Sequence, residues 1–317
     1  MPTARITSRA ASPARSSFAE PPPDAPEVIR LVRAAVERRA ALAAAAFPVR
    51  LFDGAADGVS RLVVERFGAA LRVAGGPERV GLLPAVREAL GEPRELFFRF
   101  GHGCVGGPDA GARVVSEHGL AFEVALLPHR HTGLFLEARV ARGWVKAHAA
   151  GRRVLNLFAY TCAFGAAAAA GGARATTNVD EAPGALARGK RNYAHNALPF
   201  DGRSFWCSDV LAALESARRS GAAFDGIVLH PPPVATGGSG RRTEVVRDLE
   251  VLAAGCRAVL APGGWLLLAW TPPAGADDEL HRAVGLGPPS LALPAGEDFR
   301  ATAGQPGLRA FVYAAPA

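Results

Sequence analysis

RRVLNLFAYTCAFGAAAAAGGARATTNVD, residues 152–180, is the stretch on which the fold turns. Val154 to Phe158 is an apolar run of strand length, and the turn after it leads into Ala166–Ala170, a block of the strongest helix former. The pair Gly171-Gly172 closes that helix, Ala175 to Val179 is strand-like again, and Asp180 stands at its end. Strand, tight turn, helix, strand and terminal carboxylate make a βαβ unit, whose ligand site lies outside the carboxyl ends of the two parallel strands. An adenosine-bearing ligand is expected there, with Asp180 accepting from ribose hydroxyls; an α/β crossover without a ligand is the plainer alternative.

The turn chooses between ligands. A dinucleotide needs G-x-G-x-x-G, so that pyrophosphate can rest on backbone N–H groups, but residues 159–165 read Ala-Tyr-Thr-Cys-Ala-Phe-Gly. A phosphate-free cofactor, S-adenosylmethionine, suits this turn better than NAD.

Outward from this unit, 317 residues with 49% hydrophobic content suffice for two globular domains. No apolar run reaches the roughly 18 residues that span a bilayer, so no membrane segment is expected and a cytoplasmic setting is the default. The formal charge of +7 is carried by arginine, since only Lys146 and Lys190 are lysines; it suits RNA as a partner and equally a solvated basic surface. The four cysteines, at 104, 162, 207 and 256, form no C-x-x-C pair, which indicates reduced thiols. His129 and His131 lack companions for a metal site, and none is expected.

Residues 1–25, rich in Ala, Ser, Arg and Pro, are expected to be a disordered tail, with a transit peptide as the alternative. A small domain over 26–127 begins with an amphipathic helix carrying Val28, Leu31, Val32, Ala35 and Val36. It continues through strand-like runs, a helix at Val80–Leu90, and further strand-like pieces at Leu96–Phe100 and Val114–Val124. Phe97, Phe98 and Phe100 beside Arg94 and Arg99 could stack bases, though strand aromatics more often build core. A second domain over 128–317 then takes a helix at Leu134–Ala149, the βαβ unit, a helix at Ala182–Asn196 and a strand at Ser204–Cys207. Asp209 follows that strand, as adenine ligand or N-cap of the next helix. Phe224–Leu229 should be a central buried strand, and Leu308–Tyr313 an antiparallel edge strand.

Val154-Leu155-Asn156-Leu157-Phe158-Ala159-Tyr160-Thr161 resembles the first motif, V-L-N-L-F-A-Y-T-G-x-F, of the S-adenosylmethionine-dependent rRNA methyltransferases of the bacterial 23S cytosine-C5 type and their guanine-N2/N7 relatives. Thr132 to Arg139 is similar to that family's T-G-x-F-L-D-Q-R, with Glu137-Ala138 in place of Asp-Gln, and Lys190-Arg191-Asn192-Tyr193 to its K-R-N-F. The likeness runs from about Phe47 to the C-terminus. It implies a class I Rossmann-like methyltransferase sheet behind a small β-rich domain, and cofactor contacts at Phe158, Ala159, Thr161, Asp180 and Asp209. Arg139 and Arg142 are implied as candidate phosphate or cofactor contacts. The N-terminal PUA-type module of larger family members is not expected in a chain of this length.

In that family the acceptor motif is D-P-P with an aromatic residue at its fifth position: a carboxylate and a proline carbonyl accept the N–H bonds of an amine while the ring stacks on the base. Here His230 replaces the acid before Pro231, and Val234 the aromatic residue. Neutral imidazole has one acceptor nitrogen and cannot reproduce a carboxylate. Cytosine-C5 chemistry would need a cysteine near residue 271, where the chain reads Ala269-Trp270-Thr271. The sequence therefore leaves three readings: a methyltransferase with a changed acceptor, RNA or a smaller molecule, using His230 and Pro231; a cofactor-binding protein without catalysis; and an oxidoreductase of the same fold class.

Overall fold

The computed structural model describes residues 23–101, 104–108, 111–127, 131–231, 234–236, 242–271, 277–302 and 307–316. Most of the expected tail, the first histidine of the pair at 129 and 131, and most of the loop after Pro231 lie outside the described residues.

The N-terminal part contains α1 (Ala25–Arg38), α2 (Ala40–Ala43), β1 (Val49–Asp53), β2 (Leu62–Phe67), β3 (Ala70–Gly75), α3 (Leu83–Ala89), β4 (Leu96–Phe100) and β5 (Cys104–Gly106). Asp24 caps α1 by accepting the Glu27 amide at 2.9 Å, and Val28, Val32 and Ala35 recur at helical spacing on its buried face. The strands form one five-stranded sheet in sequence order, antiparallel except between β3 and β4. Phe97 and Phe100 are core residues, each 1% exposed. Only Leu83–Ala89 of the expected helix at 80–90 is α-helical, because Pro77–Leu82 winds as a 3₁₀ turn.

The piece expected as one strand at 114–124 is a hairpin, β6 (Ala112–Glu117) and β7 (Leu120–Ala125). His118 and Gly119 both take positive φ, +53° and +76°, the pairing that a two-residue hairpin turn demands. Its apolar side, with Val115, Phe122 and Val124, shares one core with Ala163, Leu186 and Tyr193 of the following layer and with Phe67 and Phe97 of the small sheet. The hairpin thus joins the two halves.

After it come α4 (Arg139–His148), β8 (Arg153–Leu157), α5 (Ala163–Ala170), β9 (Ala175–Asp180), α6 (Pro183–His195), β10 (Phe205–Cys207), α7 (Val210–Arg219) and β11 (Phe224–Leu229). The chain ends with β12 (Val234–Thr236), β13 (Arg242–Glu244), α8 (Val245–Val259), β14 (Leu260–Trp270), α9 (Asp277–Val284), β15 (Leu291–Pro294) and β16 (Arg309–Ala314). Seven strands form one sheet in the order β10-β9-β8-β11-β14-β16-β15. The strands from β10 to β14 run parallel, and β16 is antiparallel to both its neighbours. The last strand is therefore antiparallel as expected but not at the edge, because β15, too short to signal in the sequence, pairs on its outer side.

One apolar cluster, with Leu214, Leu252 and Cys256, packs α7 and α8 on one face of this sheet; another, with Val145, Phe164 and Trp265, packs α4 and α5 on the other. The alanines of α5 let it lie flat on the strands. A Cβ added at Gly165 would collide with the Asn178 amide of β9, so glycine is required for that approach.

Candidate active site at the carboxyl ends of the central strands

β8 ends in a turn that is bent beyond ordinary preference. Phe158, Tyr160 and Cys162, none of them glycine, lie at φ +53°, +48° and +59°. Left-handed backbone costs an L-residue about 1–2 kcal/mol, so three such residues persist only where their surroundings over-determine them. Cys162 occupies the position that is glycine in the rRNA methyltransferase motif it resembles, and Gly189 of α6 makes room for its sulfur.

The fastenings come from the three motif stretches. Asp180 accepts the Tyr160 amide at 2.7 Å through one carboxylate oxygen and the Ala182 amide at 2.9 Å through the other. Thr161 donates its hydroxyl to the Gly133 carbonyl, and Asn192 donates its side-chain amide to the Thr161 carbonyl at 2.9 Å. The Ala159 amide donates to the Val179 carbonyl at 2.9 Å, tying the turn to β9. Thr132-Gly133, Thr161 and Asn192, far apart in the chain, meet at one corner.

Asp180 is half-buried, and after its two backbone bonds each oxygen retains acceptor capacity. Cys207 lies opposite it in the register of β9 and β10, which sets Ser208 and Asp209 at the neighbouring strand end. Asp209 caps α7 by accepting the Ala212 amide at 2.8 Å, and its side chain is exposed. Two carboxylates at adjacent strand ends, beside a turn without a phosphate cradle, fit an adenosine carrying hydroxyls and an amino group. The side chain of Thr161 is 2% exposed and spent on Gly133, so it braces the turn and does not reach a ligand. Ala159 is 7% exposed, and Phe158 is half-buried.

His230 follows β11, whose Leu229 is in register with Leu157 of β8, so its ring stands beside the turn. Phe135 and Phe164 approach the ring edge-on, with centroids at 5.5 and 5.7 Å, and Phe135 also touches Tyr160 at 5.4 Å and His131 at 5.2 Å. Neither imidazole nitrogen has a hydrogen-bond partner among the described residues. Burial, reinforced by the nearby Arg142 guanidinium, pushes His230 down to about 4, so the ring is neutral at physiological pH and offers one acceptor nitrogen. Pro231 is buried beside it.

Arg139 and Arg142 need correction. Arg142 donates to both oxygens of Glu117 at 2.6 and 2.9 Å, and both residues are sealed from water. Arg139 pairs with the buried carboxylate of Asp298 and donates to the Pro48 carbonyl at 3.0 Å. Each guanidinium is buried and paired with a buried carboxylate from another element, so the two hold elements together and neither is free for a phosphate. Isolated arginines in a motif gave no sign of this, because Glu117 and Asp298 are remote in sequence.

Sequence reasoning also missed Phe135. The expected helix at 134–149 begins as a 3₁₀ turn, Leu136–Ala138, and becomes α-helix only at Arg139. Gly133, at φ +109°, turns the chain so that Phe135 stays extended and faces His230. Cys162 and Cys256 are buried, their thiols pushed well up, the latter to about 12, so neither is a thiolate nucleophile.

The sheet order, its single antiparallel strand and the paired carboxylates define an α/β protein built to hold a phosphate-free adenosine cofactor. The chain matches the S-adenosylmethionine-dependent methyltransferase family over residues 103–309 and belongs to it. It is 40% identical over 161 residues to the ribosomal RNA large subunit methyltransferase K/L of Hahella chejuensis, an alignment covering 50% of this chain and 22% of that one. With the ribosomal RNA large subunit methyltransferase of Deinococcus radiodurans it shares 31% over 239 residues, 69% of this chain and 58% of the relative. The chain thus spans between about a fifth and three fifths of the length of these relatives. Among solved structures, SMU.776, a candidate methyltransferase in complex with SAH, superposes with a TM-score of 0.84 at 23% identity, covering 93% of this chain and 83% of that one. S-adenosylmethionine is the cofactor of this family, and the strand-end carboxylates fit it.

Proposed function

We propose that the protein methylates a base of large-subunit ribosomal RNA. The observation that carries the reading is the neutral ring of His230, set at the strand end next to the fastened turn and walled by Phe135 and Phe164. The relatives named for ribosomal RNA point to the acceptor.

S-adenosylmethionine, when bound, supplies an electrophilic methyl group. Asp180 and Asp209 would hold its ribose and adenine, and the turn braced by Asp180, Thr161 and Asn192 would border the reacting end. His230 accepts one N–H of the acceptor amine through its free nitrogen, and the carbonyl of Pro231 a second. Together they would present the nitrogen lone pair to the methyl carbon, whose bond to sulfur would break as the bond to nitrogen formed, the sulfide leaving with its electron pair and the surplus N–H proton passing to water. A ring titrating near 4 stays a hydrogen-bond acceptor across the physiological range and contributes position more than proton abstraction.

The test is transfer of labelled methyl groups to protein-free large-subunit ribosomal RNA, alongside calorimetric titration with S-adenosylmethionine. Wild type should bind the cofactor and label the RNA, and His230→Ala should bind equally well and label at least tenfold more slowly. Cofactor binding without labelling of the RNA would leave a binding protein and remove the enzyme.

A further inference from the structure

Phe135, whose ring meets His230 at 5.5 Å, belongs to a segment fixed at both ends. At its start the Gly133 carbonyl accepts the Thr161 hydroxyl of the cofactor turn, and the Thr132 carbonyl accepts the Ala125 amide at 2.7 Å. At its end stands Arg139, the first residue of α4, with its guanidinium bound to Asp298. Phe135 therefore takes its place from two anchors, one at the cofactor turn and one at Asp298.

Asp298 comes from the connection between β15 and β16 and is completely buried. Its Oδ1 accepts Arg139 Nη2, and its Oδ2 accepts Arg139 Nη1 at 3.4 Å and the backbone amide of Arg50, in β1, at 2.9 Å. The Asp298 carbonyl accepts Arg39 Nε at 3.1 Å. A Cβ added at Gly296 would collide with the Arg139 guanidinium and the Asp298 carboxylate, so glycine lets the chain close over the pair. One carboxylate thus joins the small sheet to the first turn of α4. The walls it joins carry Arg50 and Phe135, which line a common cavity of about 670 Å³, and its bonds set their separation. Apolar residues of similar volume would stabilise such a joint as well as a buried ion pair does. They would not fix its direction, which forked hydrogen bonds do.

We propose that Asp298 is a positioning residue for the acceptor: through Arg139 it fixes the distance and tilt of Phe135 against His230, and with them the slot that a planar acceptor enters. The proposal rests on the methyltransferase reading of that site and adds a residue outside it.

The experiment takes the full chain labelled at histidine and reads the His230 ring signals by NMR, beside calorimetric titration with S-adenosylmethionine. His230→Asn identifies the signals, and Phe135→Leu defines the share of their shifts that the phenyl ring contributes. In Asp298→Asn an amide nitrogen replaces one carboxylate oxygen and meets N–H donors whichever way it turns, so the joint opens. Its His230 signals should move at least halfway to those of Phe135→Leu, with cofactor affinity within threefold of wild type. Arg139→Lys, which keeps the buried charge but not the fork, should move them the same way by less, and it carries the test if Asp298→Asn does not fold. His230 signals at their wild-type positions in either folded variant would remove the link to Phe135 and overturn the proposal. A loss of cofactor affinity beyond threefold would overturn it too, as a general loss of shape. Where wild type labels ribosomal RNA, Asp298→Asn should lower kcat at least tenfold with the KM for the cofactor unchanged, and an unchanged kcat would also overturn the proposal. A wild type that labels no RNA removes the RNA enzyme, and the NMR signals then decide the role of Asp298 alone.

Discussion

The ends of β8 and β11 are neighbours in one sheet and are built in opposite ways. The turn after β8 holds three left-handed non-glycine residues and is tied by Asp180, Thr161, Asn192 and the Ala159 amide. The end of β11 carries His230, held by two aromatic edges, without a hydrogen bond among the described residues. One end is wired and the other packed. A wired turn loses its shape when one donor or acceptor is replaced, whereas a packed ring can be exchanged for another group if the walls stay.

The largest effect should come from the buried ion pair of Arg142 with Glu117. Arg142→Met would strand the buried carboxylate of Glu117 and cost about 3–5 kcal/mol of stability, read as a fall in the urea midpoint. The double replacement Arg142→Met with Glu117→Leu should recover most of that loss; a single variant as stable as wild type would show that the pair is not the strut described here.

A pH series addresses the packed end next. His230 lies at about 4 in the folded chain against an ordinary 6.5, so between these values the unfolded chain binds a proton that the folded chain does not. Stability therefore rises with pH through this window and is lost as pH falls, by roughly 3 kcal/mol over its whole width. His230→Asn should show a smaller loss between pH 7 and 4.5 in urea denaturation, and equal losses would refute the buried neutral ring.

At the wired end, Asp180→Ala removes the acceptor for two backbone amides as well as for the ligand, and cofactor affinity should fall about 100-fold, or about 2.7 kcal/mol. Asp180→Asn, which keeps one acceptor, should fall less, and calorimetry distinguishes the two. The smallest effect belongs to Asp209. Its replacement by alanine should cost about 1 kcal/mol for the lost helix cap and weaken the cofactor as well, while serine should restore the cap alone. Melting temperature and cofactor titration, taken together, separate cap from ligand.

The cofactor half was legible because its signals are local. An apolar run, an alanine block, a glycine pair and a terminal acid lie within thirty residues, and strand, turn and helix form there through neighbouring contacts. Asp180 and Asp209 could be placed at strand ends for the same reason. Phe135 and the true roles of Arg139 and Arg142 were not legible, since each depends on partners, His230, Asp298 and Glu117, brought in from other elements. The edge strand β15 also escaped, as four residues with mostly exposed side chains carry no periodic signal.

By itself the sequence determined the βαβ unit, the alternation of strands and helices after it, the phosphate-free turn and the acids at its strand ends, because hydrophobic period and turn chemistry act over a few residues. Only the tertiary structure decided which charges are spent and which remain. An arginine inside a motif and an arginine in a buried ion pair read alike in the chain, and the difference arises when folding brings a carboxylate from another element into reach.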